Sequence, residues 1–99
     1  MAWLDALQQI EELEDAEVSD IVTRLRRAEG QIRGIQGMLE DGRACSDVIT
    51  QFSASMRALE QAAYRYFALT LKACANEPER AALEGYDPER LEKLFLQLT

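Results

Sequence analysis

The sequence predicts an all-α protein, and three observations carry that prediction. From Cys45 to Ala75 no Pro or Gly interrupts a run rich in Ala, Leu, Gln, Arg and Met, the strong helix formers. From Ile21 to Leu39 apolar residues recur at spacings of three and four, through Leu25, Ala28, Ile32 and Ile35. Helix-stop and helix-start signals then fall where such elements should end: Gly42 in "EDGRAC", Pro78 in "NEPE" and Pro88 in "GYDPE". At 99 residues the chain suits one small domain, and 47% apolar with 29% charged residues is globular rather than disordered composition.

The elements follow in order. Residues 2–15 place Trp3, Leu7, Ile10 and Leu13 at helical spacing, as a short amphipathic helix with an acidic outer face or a tail ordered on contact. Ser19 or Asp20 is the expected N-cap of the next helix, which runs to about Glu40. Gly30, Gly34 and Gly37 sit inside it, each costing about 1 kcal/mol relative to Ala, so their spacing suggests close packing or backbone approach. Gly42 is the left-handed stop. One long helix covers Cys45 to Ala75 and stops before Pro78, because the residue preceding a proline is pushed out of the α region. Asp87 can cap a final short amphipathic helix that starts with Pro88 and carries Leu91, Leu94, Phe95 and Leu98 as its apolar residues. The chain divides into an acidic amphipathic segment, residues 1–18, and a helical domain, residues 19–99.

Charge distribution says more than the net −7. Residues 1–20 hold seven acids and no base, whereas residues 21–43 hold five arginines against three acids. A basic middle between acidic ends is compatible with nucleic acid despite the overall sign. Arg24, Arg27 and Gln31 share a face by spacing, Arg26 and Arg33 share an adjacent one, and Arg57 and Arg65 on the long helix widen the stripe. Such a stripe can hold phosphates and read base edges; it can equally be a solvated face paired with Glu29 or Asp47. There is no basic n-region followed by an apolar core, and no apolar run reaches the ~20 residues of a membrane span, so a cytoplasmic protein is expected. In that compartment two cysteines are free, metal-binding or redox-active more often than a structural disulfide. An enzyme is not expected: the chain has no histidine, no CxxC and no Gly-rich phosphate loop.

The two cysteines raise the sharpest question. Cys45 and Cys74 lie 29 residues apart in sequence. On one helix that is roughly 43 Å, and a disulfide needs Cα atoms within about 7 Å. Yet 29 steps of about 100° bring both to one face, together with Phe52, Met56, Leu59, Ala63, Tyr66 and Thr70. Two copies paired antiparallel about a two-fold axis would set Cys45 of one against Cys74 of the other, twice. The plain reading is that both thiols are small buried apolar groups, and both readings stand at this point.

The stretch "RLRRAEGQIRGIQGMLEDGRACSDVITQFSASMRAL", Arg24–Leu59, resembles the CsoR/RcnR family of bacterial transcriptional repressors through Arg24, Leu25, Arg27, Gly30, Gln31, Gly34 and the cysteine opening the next helix. The resemblance spans roughly residues 20–75. It implies a three-helix protomer, an antiparallel four-helix dimer core and a dimer of dimers, with an extra N-terminal helix possible in this chain. It also implies operator DNA as partner and an inducer at an inter-subunit cysteine site, with Arg24, Arg26, Arg27, Gln31, Arg33 and Arg57 as DNA-binding candidates. The family's copper(I) sensors carry a histidine one turn before the second cysteine, where this chain has Thr70; nickel and cobalt sensors need several histidines. Two cysteines without histidine look like the persulfide-sensing members, the CsoR-like sulfurtransferase repressors. The expectation is therefore a repressor that needs no cofactor. Its inducer is a low-molecular-weight persulfide or polysulfide that cross-links Cys45 to Cys74 of a homodimer or homotetramer, with Arg43 and Thr70 beside the site. Cys45 is the attacking thiol, because a helix N-terminus favours an anion. The alternative is a copper(I) sensor using the same two thiolates, and the weaker alternative a helical scaffold. The acidic N-terminal segment is expected to cover apolar surface, or else to act as an arm competing with DNA for the arginines.

Overall fold

The computed structural model describes the backbone of residues 12–99 and the side chains of residues 16–99. Among the described residues four helices follow one another: α1 Glu12–Glu40, α2 Cys45–Asn76, α3 Pro78–Leu83 and α4 Pro88–Leu98. The molecule is a rod, 54 × 28 × 19 Å. Its long axis is that of α2, whose 32 residues span roughly 48 Å. Among the described residues no helix is long and apolar enough to cross a membrane.

The pairing of α1 with α2 follows from a seven-residue repeat on both. Buried Ile21, Ala28 and Ile35 on α1 are each seven apart, as are buried Val48, Ser55, Ala62 and Leu69 on α2. A repeat of seven keeps one narrow stripe facing a neighbouring helix over several turns. Ile21 and Leu69 pack in one cluster with Ala73, which fixes the helices antiparallel. That register sets Ala28 opposite Ala62 and Ile35 opposite Ser55, so small residues let the axes approach in the middle of the seam. The Ser55 hydroxyl donates to the Gln51 carbonyl at 2.8 Å, which satisfies a polar atom inside the seam. Two ion pairs repeat the register at the surface, Lys72 with Glu17 at 3.1 Å and Arg65 with Asp20 at 3.7 Å.

The connections carry the expected chemistry. Gly42 closes α1 with φ 67°, and the Arg43 amide donates to the Met38 carbonyl at 2.9 Å. Asp87 caps α4, accepting from the Arg90 amide at 2.9 Å, with Pro88 in the first turn. α4 then folds back on α2: Phe95 meets Phe67 and Tyr64 at ring-centroid distances of 5.5 and 6.3 Å. Leu91 and Ala81 pack on Cys74, with Tyr86 against the same cluster.

Two expectations are corrected. α1 does not start at Ser19 or Asp20; it is already helical at Glu12, where the described residues begin, and runs through the 18/19 junction. The Ser19 carbonyl accepts from the Thr23 hydroxyl at 3.0 Å, as a residue inside a helix does. The break at Pro78 is also shorter than expected, since Pro78 opens the six-residue α3, where its missing N–H costs nothing. The expected helix over residues 2–15, with Trp3, Leu7 and Ile10, lies outside the described residues except for its last turn, which belongs to α1.

Ala62, 1% exposed at the centre of the seam, tests the packing. Ala62→Leu should cost about 1–3 kcal/mol through overpacking, read as a lower urea midpoint at unchanged slope.

Candidate functional site

α2 carries both thiols at its two ends. Cys45 is exposed and opens the helix; Cys74 is buried near its other end. Within one protomer they stand some 43 Å apart along the axis, so no bond joins them there. The stripe between them turns away from the α1 seam. Ile49, Phe52, Met56, Leu59 and Tyr66 are exposed along it, Met56 to 68%. α1 adds Val18, Val22, Leu25, Ile32 and Leu39, also exposed. An apolar surface of this extent on so small a chain marks an interaction face.

The ends of the stripe differ chemically. At Cys45 the residue before the helix, Ala44, supplies no side-chain cap; its carbonyl accepts from the Asp47 and Val48 amides at 3.0 and 3.2 Å, and the Cys45 and Ser46 amides lie open beside the thiol. The Arg43 guanidinium lies 3.5 Å from the Asp47 carboxylate, in the first turn of α2. At the other end Ala81 and Leu91 cover Cys74 to 7% exposure, and desolvation by this burial pushes its pKa up from the ordinary thiol value of 9.0. Thr70, one turn earlier, is buried too, and its hydroxyl donates to the Tyr66 carbonyl at 3.1 Å. Among the described residues no group of three or more His, Cys, Asp or Glu side chains comes together. The donors that α2 does offer are two soft thiols, which suit a soft monovalent ion.

The structure sorts the arginines that the sequence grouped. Arg24 is half-buried at the edge of the seam, its Nε 3.0 Å from Asp20. Gln31 turns to the same edge, with a buried Oε1 that has no hydrogen-bond partner. Arg26, Arg27 and Arg33 are exposed on the outward face of α1, and Arg57 is exposed on α2. Arg33 lies 3.7 Å from Glu29 in an open pair; among the described residues Arg26, Arg27 and Arg57 make no ion pair. Asp20, four residues before Arg24, was the sequence signal for the withdrawal of Arg24. Gly30 and Gly34 share the outward face, and a Cβ at either would meet nothing within 4 Å. Packing inside the protomer therefore does not account for them.

A long antiparallel helix pair, an exposed arginine face and a thiol near each end of an apolar stripe are features of a helical regulator. The family described as metal-sensitive transcriptional repressor matches residues 17–97, and the chain belongs to that family, the CsoR/RcnR repressors. It is 45% identical over 62 residues to the copper-sensing transcriptional repressor RicR of Mycobacterium tuberculosis, covering 63% of this chain and 62% of that one. It is 47% identical over 47 residues to the copper-sensing transcriptional repressor CsoR of Bacillus subtilis, covering 48% and 46%. The matches thus span less than two thirds of the length of these relatives. The crystal structure of the copper-sensing repressor CsoR with Cu(I) from Geobacillus thermodenitrificans superposes with a TM-score of 0.63 at 35% identity, over 83% of this chain and 85% of that one.

These relatives correct three expectations together. All three are copper-sensing proteins, which overturns the persulfide-sensing subgroup, the persulfide or polysulfide inducer and the absence of a cofactor. The expectation gave the missing imidazole at Thr70 too much weight. Thiolates alone already select soft copper, and the lost nitrogen donor does not convert a metal site into a sulfur-transfer site.

Raised by burial, the Cys74 pKa favours the protonated thiol in the folded chain. Its contribution to stability is therefore intact below about 9 and is lost as the pH rises through the higher folded-state value. In a Cys45→Ala variant, alkylation of Cys74 should reach half its limiting rate at a higher pH than a free model thiol, and urea should bring the two profiles together. Coincident profiles in the folded chain would show that α3 and α4 do not desolvate the thiol.

Proposed function

We propose that this chain is a cytoplasmic copper(I)-sensing repressor of the CsoR type, which holds operator DNA as a homodimer or dimer of dimers and releases it when copper(I) loads. One observation carries the reading: α2 presents an exposed apolar stripe with one soft thiol at each end. Antiparallel pairing of two such stripes buries Phe52, Met56 and Leu59 and sets Cys45 of one protomer beside Cys74 of its partner. Cys45 and the partner's Cys74 would hold the ion, which supplies a soft, covalent-like link between two α2 helices. Cys45 comes from an accessible helix start and Cys74 from under α4. Copper loading is thus coupled to how Leu91 and Tyr86 sit on Cys74. The relatives that sense copper support this assignment.

Arg26, Arg27, Arg33 and Arg57 are the proposed phosphate contacts. They stand clear of the seam, whereas Arg24 is drawn to Asp20 and Gln31 to the helix interface. Gly30 and Gly34 between them let the α1 backbone come close to a sugar-phosphate strand.

Anaerobic copper(I) titration against a competing chelator, run beside an operator mobility shift, tests the sensor. Copper should bind tightly and abolish the shift, and Cys45→Ala or Cys74→Ala should each remove the copper response while leaving apo binding in place. Tight DNA binding that copper leaves untouched would sink the reading. For the DNA face, Arg26→Ala and Arg27→Ala should each lower the salt slope of log K by about 1, and Arg24→Ala should change it less. Equal effects at all three positions would mean that the Asp20 pairing does not withhold Arg24.

A further inference from the structure

Four guanidiniums gather along one edge of the α1–α2 seam. Arg24 and Arg27 come from α1, three residues apart, and Arg57 and Arg65 from α2, eight apart. Within each pair the residues differ by at most about 80° around their helix, so each pair occupies one side of it. Arg65 and Cys74 are nine residues apart, about half a turn in phase, so this edge lies across α2 from the thiols. Among the described residues Arg27 and Arg57 make no ion pair. Arg24 and Arg65 converge on a single oxygen. Asp20 Oδ2 accepts from Arg24 Nε at 3.0 Å and lies 3.7 Å from Arg65 Nη1. One carboxylate thus holds a guanidinium from each helix. We propose that Asp20 is a built-in competitor for DNA phosphate: it withholds Arg24 and Arg65 and so lowers the affinity of the chain for DNA of any sequence. The inference rests on the DNA-binding reading above.

The chemistry of the pair favours this role over a structural one. A carboxylate and a phosphate offer a guanidinium the same kind of charged oxygen acceptor. Asp20 is half-exposed and so is Arg65, and ion pairs that open to water contribute little to stability. The register of the two helices is already fixed by Ile21, Ala28 and Ile35 in the seam, which need no help from a surface contact. The effect on DNA binding is larger. Every phosphate that an arginine neutralises steepens the salt dependence of log K by about 0.9, so two withheld arginines remove about 1.8. An open cavity of about 610 Å³ lined by Asp20 and Arg65 leaves these side chains room to separate.

The position of Asp20 also keeps the competitor in place when protomers pair. The apolar stripe proposed for pairing runs along the other edge of the seam, through Leu25 and Ile32 on α1 and Phe52 and Leu59 on α2. Asp20, Arg24 and Arg65 stay open to solvent and to nucleic acid in the assembled form. Phosphate attraction carries no sequence information. Restraining two of the four guanidiniums therefore weakens binding to random DNA, and base contacts made by the others count for more of the total.

Fluorescence anisotropy of the full apo-chain on a short random-sequence duplex and on the operator, over a range of salt, tests this. Asp20→Asn should tighten binding to the random duplex and steepen its salt slope by about 1–2, so that the gain at about 50 mM salt shrinks about three- to twelvefold by about 200 mM. Its preference for operator over random duplex should fall. Arg65→Ala should take back about 1 of the slope in the Asp20→Asn background and change it little in the unaltered chain. Glu60→Gln removes the same unit charge from an exposed residue on the side of α2 away from the seam, and should leave the slope unchanged. Circular dichroism checks that the helices persist, and Asp20→Ala, which places a stronger helix former there, is the second variant if Asp20→Asn does not fold. Equal slopes for Asp20→Asn and Glu60→Gln overturn the proposal, since net charge alone then sets the affinity. So does an Arg65→Ala effect that is the same in both backgrounds. If the unaltered chain binds the operator and Asp20→Asn gains nothing on either duplex, only the competitor role falls. If no form of the chain binds either duplex, the DNA-binding reading falls and takes the proposal with it.

Discussion

The seam between α1 and α2 decides what every other surface is left to do. Ile21, Ala28 and Ile35 against Val48, Ser55, Ala62 and Leu69 occupy one narrow stripe on each helix. Because the repeat is seven rather than a broad 3.6-residue face, only about one side chain in seven is spent on holding the hairpin together. Small residues in the middle bring the axes close, so the seam is tight without being wide. That economy leaves three faces of α2 available: one for the thiols and their apolar neighbours, one for α4, and one edge for ion pairs to α1.

Much of this was legible in the residues. Spacing put Cys45 and Cys74 on one face of a single long helix; along that face Phe52, Met56, Leu59 and Tyr66 are exposed, whereas Thr70 and Cys74 are buried. Gly42 and the Asp87–Pro88 pair mark turns whose chemistry is local, and local chemistry survives into the structure. The start of α1 was not legible. Ser19 is a good cap by itself, but the acidic residues before it are also helix formers, and the ion pairs of Glu17 and Asp20 to α2 reward continuing the helix upstream. α3 was missed because a six-residue helix after a proline looks like the end of one element rather than the start of another. The arginine face was legible in membership but not in orientation. Spacing alone cannot say which face of α1 meets α2.

The ligand of the site was the part least written in the sequence. Thr70 lies where a third donor is easily imagined, and a hydroxyl there invites the conclusion that metal is excluded. The structure gives that hydroxyl another occupation, the Tyr66 carbonyl of its own helix, so it says nothing for or against a metal. What remains are two soft donors, one at an unsatisfied helix start and one in a desolvated pocket. A pocket that disfavours a bare thiolate gains from a bound soft cation what it withholds from the free anion.

Placing both thiols on one uninterrupted helix also sets which changes of length the protein can survive. One residue inserted or removed between Cys45 and Cys74 rotates one thiol by about 100° relative to the other and takes it off the shared face. Seven residues rotate it by only about 20°. In the antiparallel dimer proposed above, the two-fold axis would then move to the new midpoint, so Cys45 of one protomer would again lie beside Cys74 of its partner, and the α1 seam keeps its repeat. Variation in chain length should accordingly come in heptads within α2, and freely only in the turn at residues 41–44, where neither the seam nor the thiol phase passes through.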